Sequence, residues 1–310
     1  MVGRGCADDP AAPCDAGGVD VWSVPPMDTR VLFDGERRDL LALLDHLTAD
    51  EWAAASPAHG WTVKDVAAHL LDTQLRRLSF GRDGYTVSPP SPITSDRDLV
   101  AFIDRLNAEG VTVYRRLSPS VLIAWMERSS GEAARYFASL DPFASARFGV
   151  SWAGEAVSPN WFDIARELTE RWHHQQQIRL ALAEPGSESS AAAAGRLHAI
   201  TTPELYHPVL DCFMRALPFH YRTIPAAPGT TIRFHVSGEC GGDWHLYRGD
   251  DWLLAGEAAG TVAATVTIPQ EIAWRIFTKG IARDDARAQV RVTGDAALGE
   301  HVLGMLAIVG

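Results

Sequence analysis

Two segments of this sequence decide the fold: GWTVKDVAAHLL at residues 60–71 and ERWHHQQQIR at residues 170–179. In the first segment, Thr62 is a good helix N-cap and Asp65 is the matching acid of the first helical turn. Apolar residues follow at helical spacing. The segment therefore predicts an amphipathic helix that carries His69 beside its apolar face.

The second segment belongs to a longer helical pattern, from Asn160 to about Ala183, which begins after Ser158-Pro159. Glu170 and His174 are four residues apart and share one helix face, where a carboxylate and an imidazole can bind one metal ion. The same polar stripe contains Asp163, Glu167 and Gln177, and the opposite stripe contains Trp161, Ile164, Leu168 and Trp172.

The spacing alone leaves a second interpretation open. A polar stripe opposite an apolar stripe is typical of any bundle helix that faces water, so Glu170 and His174 need not bind anything. Likewise, a single histidine beside an apolar face, such as His69, is often a hydrogen-bonded residue at the core boundary.

Further start signals predict more helices on either side. They are Thr48 with Glu51, Ser95 with Asp98, and Ser118-Pro119, and each precedes or follows apolar residues at helical spacing. Residues 28–183 therefore read as a helical bundle. Residues 1–27 have no period and are expected to form a flexible tail, with Met27 as a candidate native start.

The pattern changes after a small-residue linker at 184–200. A helix is predicted from Pro203 to Leu217, and alternation at period two then predicts strands around 232–236, 262–268 and 290–292. Two more helices are predicted, Pro269 to Lys279 and Ala296 to Ile308. Residues 201–310 should form a small α+β unit, so the fold class is α+β with two domains.

Composition limits the partners. The formal net charge is −11 and the only lysines are Lys64 and Lys279, so no basic stripe suited to nucleic acid is expected. Four cysteines without a CxxC pair argue against a disulfide scaffold or a zinc ribbon and favour a reducing cytoplasm. We expect neither a membrane span nor a signal peptide, and no protein partner is predicted.

The two segments together resemble the signatures of the mycothiol-dependent maleylpyruvate isomerase family, which are metal-binding four-helix bundles of the DinB-like type. The resemblance covers roughly residues 34–183. Separately, residues 268–309 resemble the sterol-carrier-like domain that follows this bundle, notably at Ala273-Trp274-Arg275-Ile276. One departure is Gln177, where the family often has an aspartate three residues after the ligand histidine.

The resemblance implies a ligand set and a chemistry. When the family's ligands are matched position by position, the implied metal ligands and catalytic residues are His69, Glu170 and His174. The divalent ion that they hold is expected to be zinc, although nickel, cobalt and iron also suit such ligands. Mycothiol would supply the reacting thiol, and Arg275 is a candidate for binding a substrate carboxylate.

The implied activity is addition of that thiol to a small electrophile, either as an isomerase of the maleylpyruvate type or as a thiol S-transferase. Two other classes stay open. One is a non-enzymatic carrier that holds an apolar small molecule in the C-terminal domain. The other is a metal-dependent hydrolase in which the ion activates water.

Overall fold

The computed structural model describes residues 24–183 and 195–308. Most of the predicted tail, with Cys6 and Cys14, and most of the predicted linker therefore lie outside the described residues. Within them, no helix combines the length and the apolar character needed to cross a membrane.

The N-terminal part is helical. Its helices are α1 (Phe33–Asp45), α2 (Ala49–Ala53), α3 (Val63–Arg76), α4 (Asp96–Tyr114), α5 (Pro119–Ser139) and α6 (Asn160–Leu182). A π-helical segment, Arg77–Arg82, continues α3. Helices α1, α5, α3 and α6 pack around one another as a four-helix bundle, and α4 covers the outer side of α3.

The predicted caps of the bundle are confirmed. Thr62 and Asp65 form a reciprocal capping box at the start of α3, which satisfies two backbone N–H groups that a helix end otherwise leaves unpaired. Thr48 and Glu51 do the same for α2. The Ser118 hydroxyl caps α5 with Pro119 in its first turn. Local hydrogen bonds thus fix where these three helices begin.

The C-terminal part is an α+β unit, so the predicted fold class is confirmed. Its helices are α7 (Pro203–Met214), α8 (Leu217–Tyr221), α9 (Gln270–Phe277), α10 (Arg283–Arg287) and α11 (Ala296–Glu300). Its strands are β1 (Thr230–Ser237), β2 (Gly242–Arg248), β3 (Trp252–Ala255), β4 (Thr261–Pro269) and β5 (Arg291–Gly294). The sheet order is β3-β2-β1-β4-β5, in which only β1 and β4 run parallel.

One face of this sheet is apolar. Ile232, Phe234 and Val236 of β1 are buried, as their alternation predicted. Val262 does not share that face: it is 44% exposed, because the register of β1 with β4 shifts between Thr231 and Ile232. The shift, a β-bulge or similar irregularity, turns the start of β4 outward.

The sequence-based prediction of the C-terminal unit is wrong in several places. Strands β2 and β3 were not predicted at all. The helix expected to reach Leu217 ends at Met214, and α8 follows separately. The helix expected over 296–308 ends at Glu300, and a 3₁₀ turn and extended chain then bury Met305 and Ala307 in the core.

Helix α6 lies between two apolar clusters. On one side, Trp172 stacks on Tyr206 of α7, with ring centroids 4.3 Å apart and planes 4° apart, and meets the edge of Trp274 of α9. On the other side, Ile178 and Leu182 join the cluster built by α1 and α3. The bundle and the C-terminal unit therefore share a continuous apolar contact through α6; the domain boundary at 184–200 stays a prediction.

Candidate metal centre

Three side chains from two helices converge inside the bundle. His69 projects from α3, and Glu170 and His174 project from one face of α6. One donor atom of each lies within 4.8 Å of the others, so the convergence expected from the sequence is observed. The interpretation that Glu170 and His174 simply face water is wrong, because α3 covers this stripe and His174 is buried.

The spacing of the donor atoms suits a small cation. Oε1 of Glu170 is 3.4 Å from Nε2 of His69 and 3.2 Å from Nε2 of His174. Ligands about 2.05 Å from a tetrahedral zinc ion are roughly 3.3 Å from one another. Glu170 therefore stands at such a separation from each of the two histidines, and all three donor atoms lie within 4.8 Å of one another.

The tautomer of His174 also fits a ligand. Its Nδ1 is 2.8 Å from Oε1 of Gln177, which accepts the Nδ1–H proton. In the neutral ring, Nε2 then presents a lone pair toward the oxygen of Glu170. Lone pairs that face each other this closely repel unless a cation lies between them, so this donor set fits a metal ion.

Protonation states in the site favour coordination. Burial raises the pKa of Glu170, but the contacts from His174 and His69 outweigh it and hold that pKa well below its usual range. Burial also lowers the pKa of His69 to about 4. At neutral pH the site therefore offers an ionised carboxylate and a neutral imidazole, which are the forms that bind metal.

Access to the site lies on the side of Glu170. The Glu170 side chain keeps 24% of its surface exposed, whereas the side chains of His69 and His174 keep 2% and 10%. The ring of Trp61, a residue to which the sequence assigned no role, lies 5.0 Å from that of His69. The arrangement can hold an ion deeply and leave one direction open to a small ligand.

His173 is not part of this group. Its ring packs 4.0 Å from that of His174, and its Nδ1 donates to the carbonyl of Thr169 at 3.0 Å. Burial lowers the pKa of His173 to about 3, so this ring is also neutral. Of the two adjacent histidines, His174 is the one grouped with Glu170, as the register of the helix predicted.

The two acids of the polar stripe, Asp163 and Glu167, serve a different purpose. Asp163 and Glu167 accept hydrogen bonds from Arg77 at 2.8 and 3.1 Å, and Glu167 also contacts Arg171. All four side chains are buried. They form a paired ionic network one to two turns before Glu170. No sequence pattern linked Arg77 to this network.

Arg275 lies on α9 and is not one of the three side chains that converge in the bundle. It is partly buried and donates from Nε to the carbonyl of Gly280 at 3.0 Å. Its neighbour Trp274 contacts Trp172, which is turned about 200° around α6 from Glu170. A role for Arg275 in binding substrate stays a prediction.

Fold and site define an α+β protein whose helical bundle brings two imidazoles and one carboxylate together at a partly exposed centre. A model of the family "Mycothiol maleylpyruvate isomerase N-terminal domain" matches residues 33–179, which span α1 to α6 and include all three side chains. The helical bundle of this chain is therefore similar to that family.

Other similarities are more distant. An uncharacterized protein of Mycobacterium tuberculosis, found in two strains, is 28% identical over 153 residues. The match covers 47% of this chain and 53% of that protein, so the chain spans about half the length of the curated relatives it matches.

Two solved structures match this chain at low similarity. A crystal structure of the mycothiol-dependent maleylpyruvate isomerase has a TM-score of 0.47 at 12% identity, covering 88% of this chain and 95% of that chain. A mutant of the same isomerase has a TM-score of 0.43 at 13% identity, with the same coverage. Similarities of this size do not support a conclusion about function.

Proposed function

We propose that this chain is a metal-dependent enzyme that activates the thiol of mycothiol for addition to a small electrophilic substrate. The observation that carries the proposal is the convergence of His69, Glu170 and His174 at the spacing of metal ligands. The name of the family whose model matches the bundle suggests mycothiol as the source of the thiol. The product is either an isomer of the maleylpyruvate type or a thioether conjugate.

The chain's own residues have distinct tasks. His69 and His174 would bind the ion as neutral imidazoles, and the carboxylate of Glu170 would lower the net charge of the metal centre. A divalent ion such as zinc, when bound, favours the thiolate form of a thiol at neutral pH. Burial of His69 excludes water from the inner side, while the exposed part of Glu170 leaves room for the thiol to enter.

The protein's described cysteines are poor candidates for the nucleophile. Cys212 and Cys240 are both buried, and burial raises the pKa of each thiol. A protonated thiol without access to solvent does not attack a substrate. An external thiol is therefore the consistent choice.

The other two classes have less support. A hydrolase would use the same three ligands with water as the nucleophile, and only an assay separates it from the thiol mechanism. A carrier needs interior space in the C-terminal unit. There the apolar face of the sheet is filled by protein side chains, among them Phe213, Tyr221 and Phe277.

The test combines metal analysis with a thiol-consumption assay. Wild type, His69→Ala, Glu170→Ala and the double variant Cys212→Ser/Cys240→Ser are each assayed with mycothiol and a panel of small electrophiles, with His46→Ala as an exposed-histidine control. We expect both ligand variants to lose bound metal and at least about 100-fold in turnover, since they lack a ligand. The cysteine and His46 variants should stay active.

Two results would contradict the mechanism: full turnover in both ligand variants, or loss confined to the cysteine variant. Hydrolysis of a substrate without mycothiol would favour the hydrolase instead. Far-UV circular dichroism of each variant must match the wild type, because the bundle has its own apolar core and should fold without metal.

A further inference from the structure

We infer that Gln177 is a positioning residue of the metal centre, which fixes the ring of His174 for coordination without adding negative charge. The inference rests on the proposed metal site. It concerns the buried polar side chain that contacts His174 on the same helix.

The geometry supports orientation. Gln177 follows His174 by three residues on α6, so the helix backbone fixes the two side chains relative to each other. Gln177 is buried, and its Oε1 accepts the Nδ1–H proton of His174 at 2.8 Å. Only this tautomer leaves the Nε2 lone pair directed toward the oxygen of Glu170.

The charge of the side chain matters as much as its shape. A divalent ion held by Glu170 and two neutral imidazoles has a net charge of about +1. An aspartate or glutamate at position 177 would reduce the local charge to about zero, whereas the amide of Gln177 leaves it unchanged. The metal centre of this chain should therefore bind an anionic ligand, such as a thiolate, more tightly than it would if residue 177 were an aspartate or a glutamate.

Three variants separate orientation from charge. Gln177→Leu removes the acceptor, and Gln177→Glu keeps an acceptor of the same length but adds a negative charge. Gln176→Leu is the matched control, because Gln176 is also buried on α6 but donates to Thr201, away from the centre. The readouts are the dissociation constant for Zn²⁺ by chelator competition, and azide binding to the Co²⁺-loaded protein by visible absorption. Neither readout uses thiol or substrate.

Each variant has a distinct expected result. Gln177→Leu should bind Zn²⁺ about 10- to 100-fold more weakly than the wild type, which is the usual effect of losing such a partner. Gln177→Glu should bind Zn²⁺ at least as tightly as the wild type but azide about tenfold more weakly. Gln176→Leu should leave both constants unchanged.

Several results would overturn the inference. Unchanged Zn²⁺ affinity in folded Gln177→Leu removes the orienting role, and unchanged azide affinity in Gln177→Glu removes the charge role. If Gln177→Leu does not fold, the Gln177→Glu measurements still decide the charge role. A wild type that binds no metal ends the inference and the metal site together. A wild type that binds metal but shows no thiol turnover contradicts the proposed function alone and leaves the inference standing.

Discussion

Substitution of Glu36 by glutamine should make the protein more stable at pH 8 than the wild type. Glu36, on α1, is almost fully buried, and its Oε1 accepts a hydrogen bond from Nε2 of Gln175 at 3.0 Å. Burial raises the pKa of Glu36 from 4.5 to about 7, against the opposing effects of Arg171, Gln175 and Arg179. A glutamine can keep the hydrogen bond and cannot ionise.

The magnitude follows from the shift in pKa. Because the pKa is higher in the folded protein, the contribution of Glu36 to stability is fully present below pH 4.5 and is lost as the pH rises through 7. The shift of 7 − 4.5 = 2.5 units corresponds to about 3 kcal/mol. The difference between Glu36→Gln and wild type should therefore grow by about 3 kcal/mol in favour of the variant between pH 4.5 and pH 8.

The assay is urea unfolding of metal-free wild type and Glu36→Gln at several pH values in this range. His69 and His173, with pKa values of about 4 and about 3, act in the opposite direction: their contributions are present above pH 6.5 and are lost as the pH falls toward these values. Both proteins contain these histidines, so their effect cancels in the difference. A difference in free energy of unfolding that stays constant with pH would refute the reasoning.

Two further predictions concern packing and charge. Trp172→Ala should lower the free energy of unfolding by about 3 to 5 kcal/mol, because it empties the stacked contact with Tyr206; urea unfolding checks this, and a loss under 1 kcal/mol would contradict it. Arg77→Met should lower the free energy of unfolding by about 3 kcal/mol, because Asp163 and Glu167 lose a buried partner that they share, although Arg166 and Arg171 still contact them. Urea unfolding of wild type and Arg77→Met checks this prediction, and an unchanged free energy of unfolding would contradict it.

Local chemistry made the helix starts predictable. Thr62 and Ser118 cap α3 and α5 through hydrogen bonds to backbone groups three residues away, so a short window of sequence contains all the information. The pairing of Glu170 with His174 was visible for the same reason. Their approach to His69, 101 residues earlier in the chain, depends on how α3 packs against α6, and only the family resemblance suggested it.

Long-range contacts explain the errors. The polar stripe of α6 has the pattern of a solvated face, yet Arg77, which is 86 residues from Asp163, neutralises its acids inside the bundle. Strand β3 has only four residues and is defined by its pairing with β2, so periodicity could not reveal it. After Glu300, a 3₁₀ turn and extended backbone bury Val302, Met305 and Ala307. The spacing of these apolar residues resembles that of a helix, so the sequence pattern predicted a longer helix.

Helix α6 carries Glu170 and His174 on one side and Trp172 on the other, and this arrangement restricts how the gene can change in length. Inserting or deleting one residue near position 171 would rotate everything beyond it by about 100°. The rotation would separate His174 and Trp172, which lie beyond the change, from Glu170, which lies before it, and no compensating shift of the helix can keep Glu170 and His174 together beside His69. Substitutions can accumulate separately on the two sides, but gains and losses of residues should be confined to the loops that flank the helix.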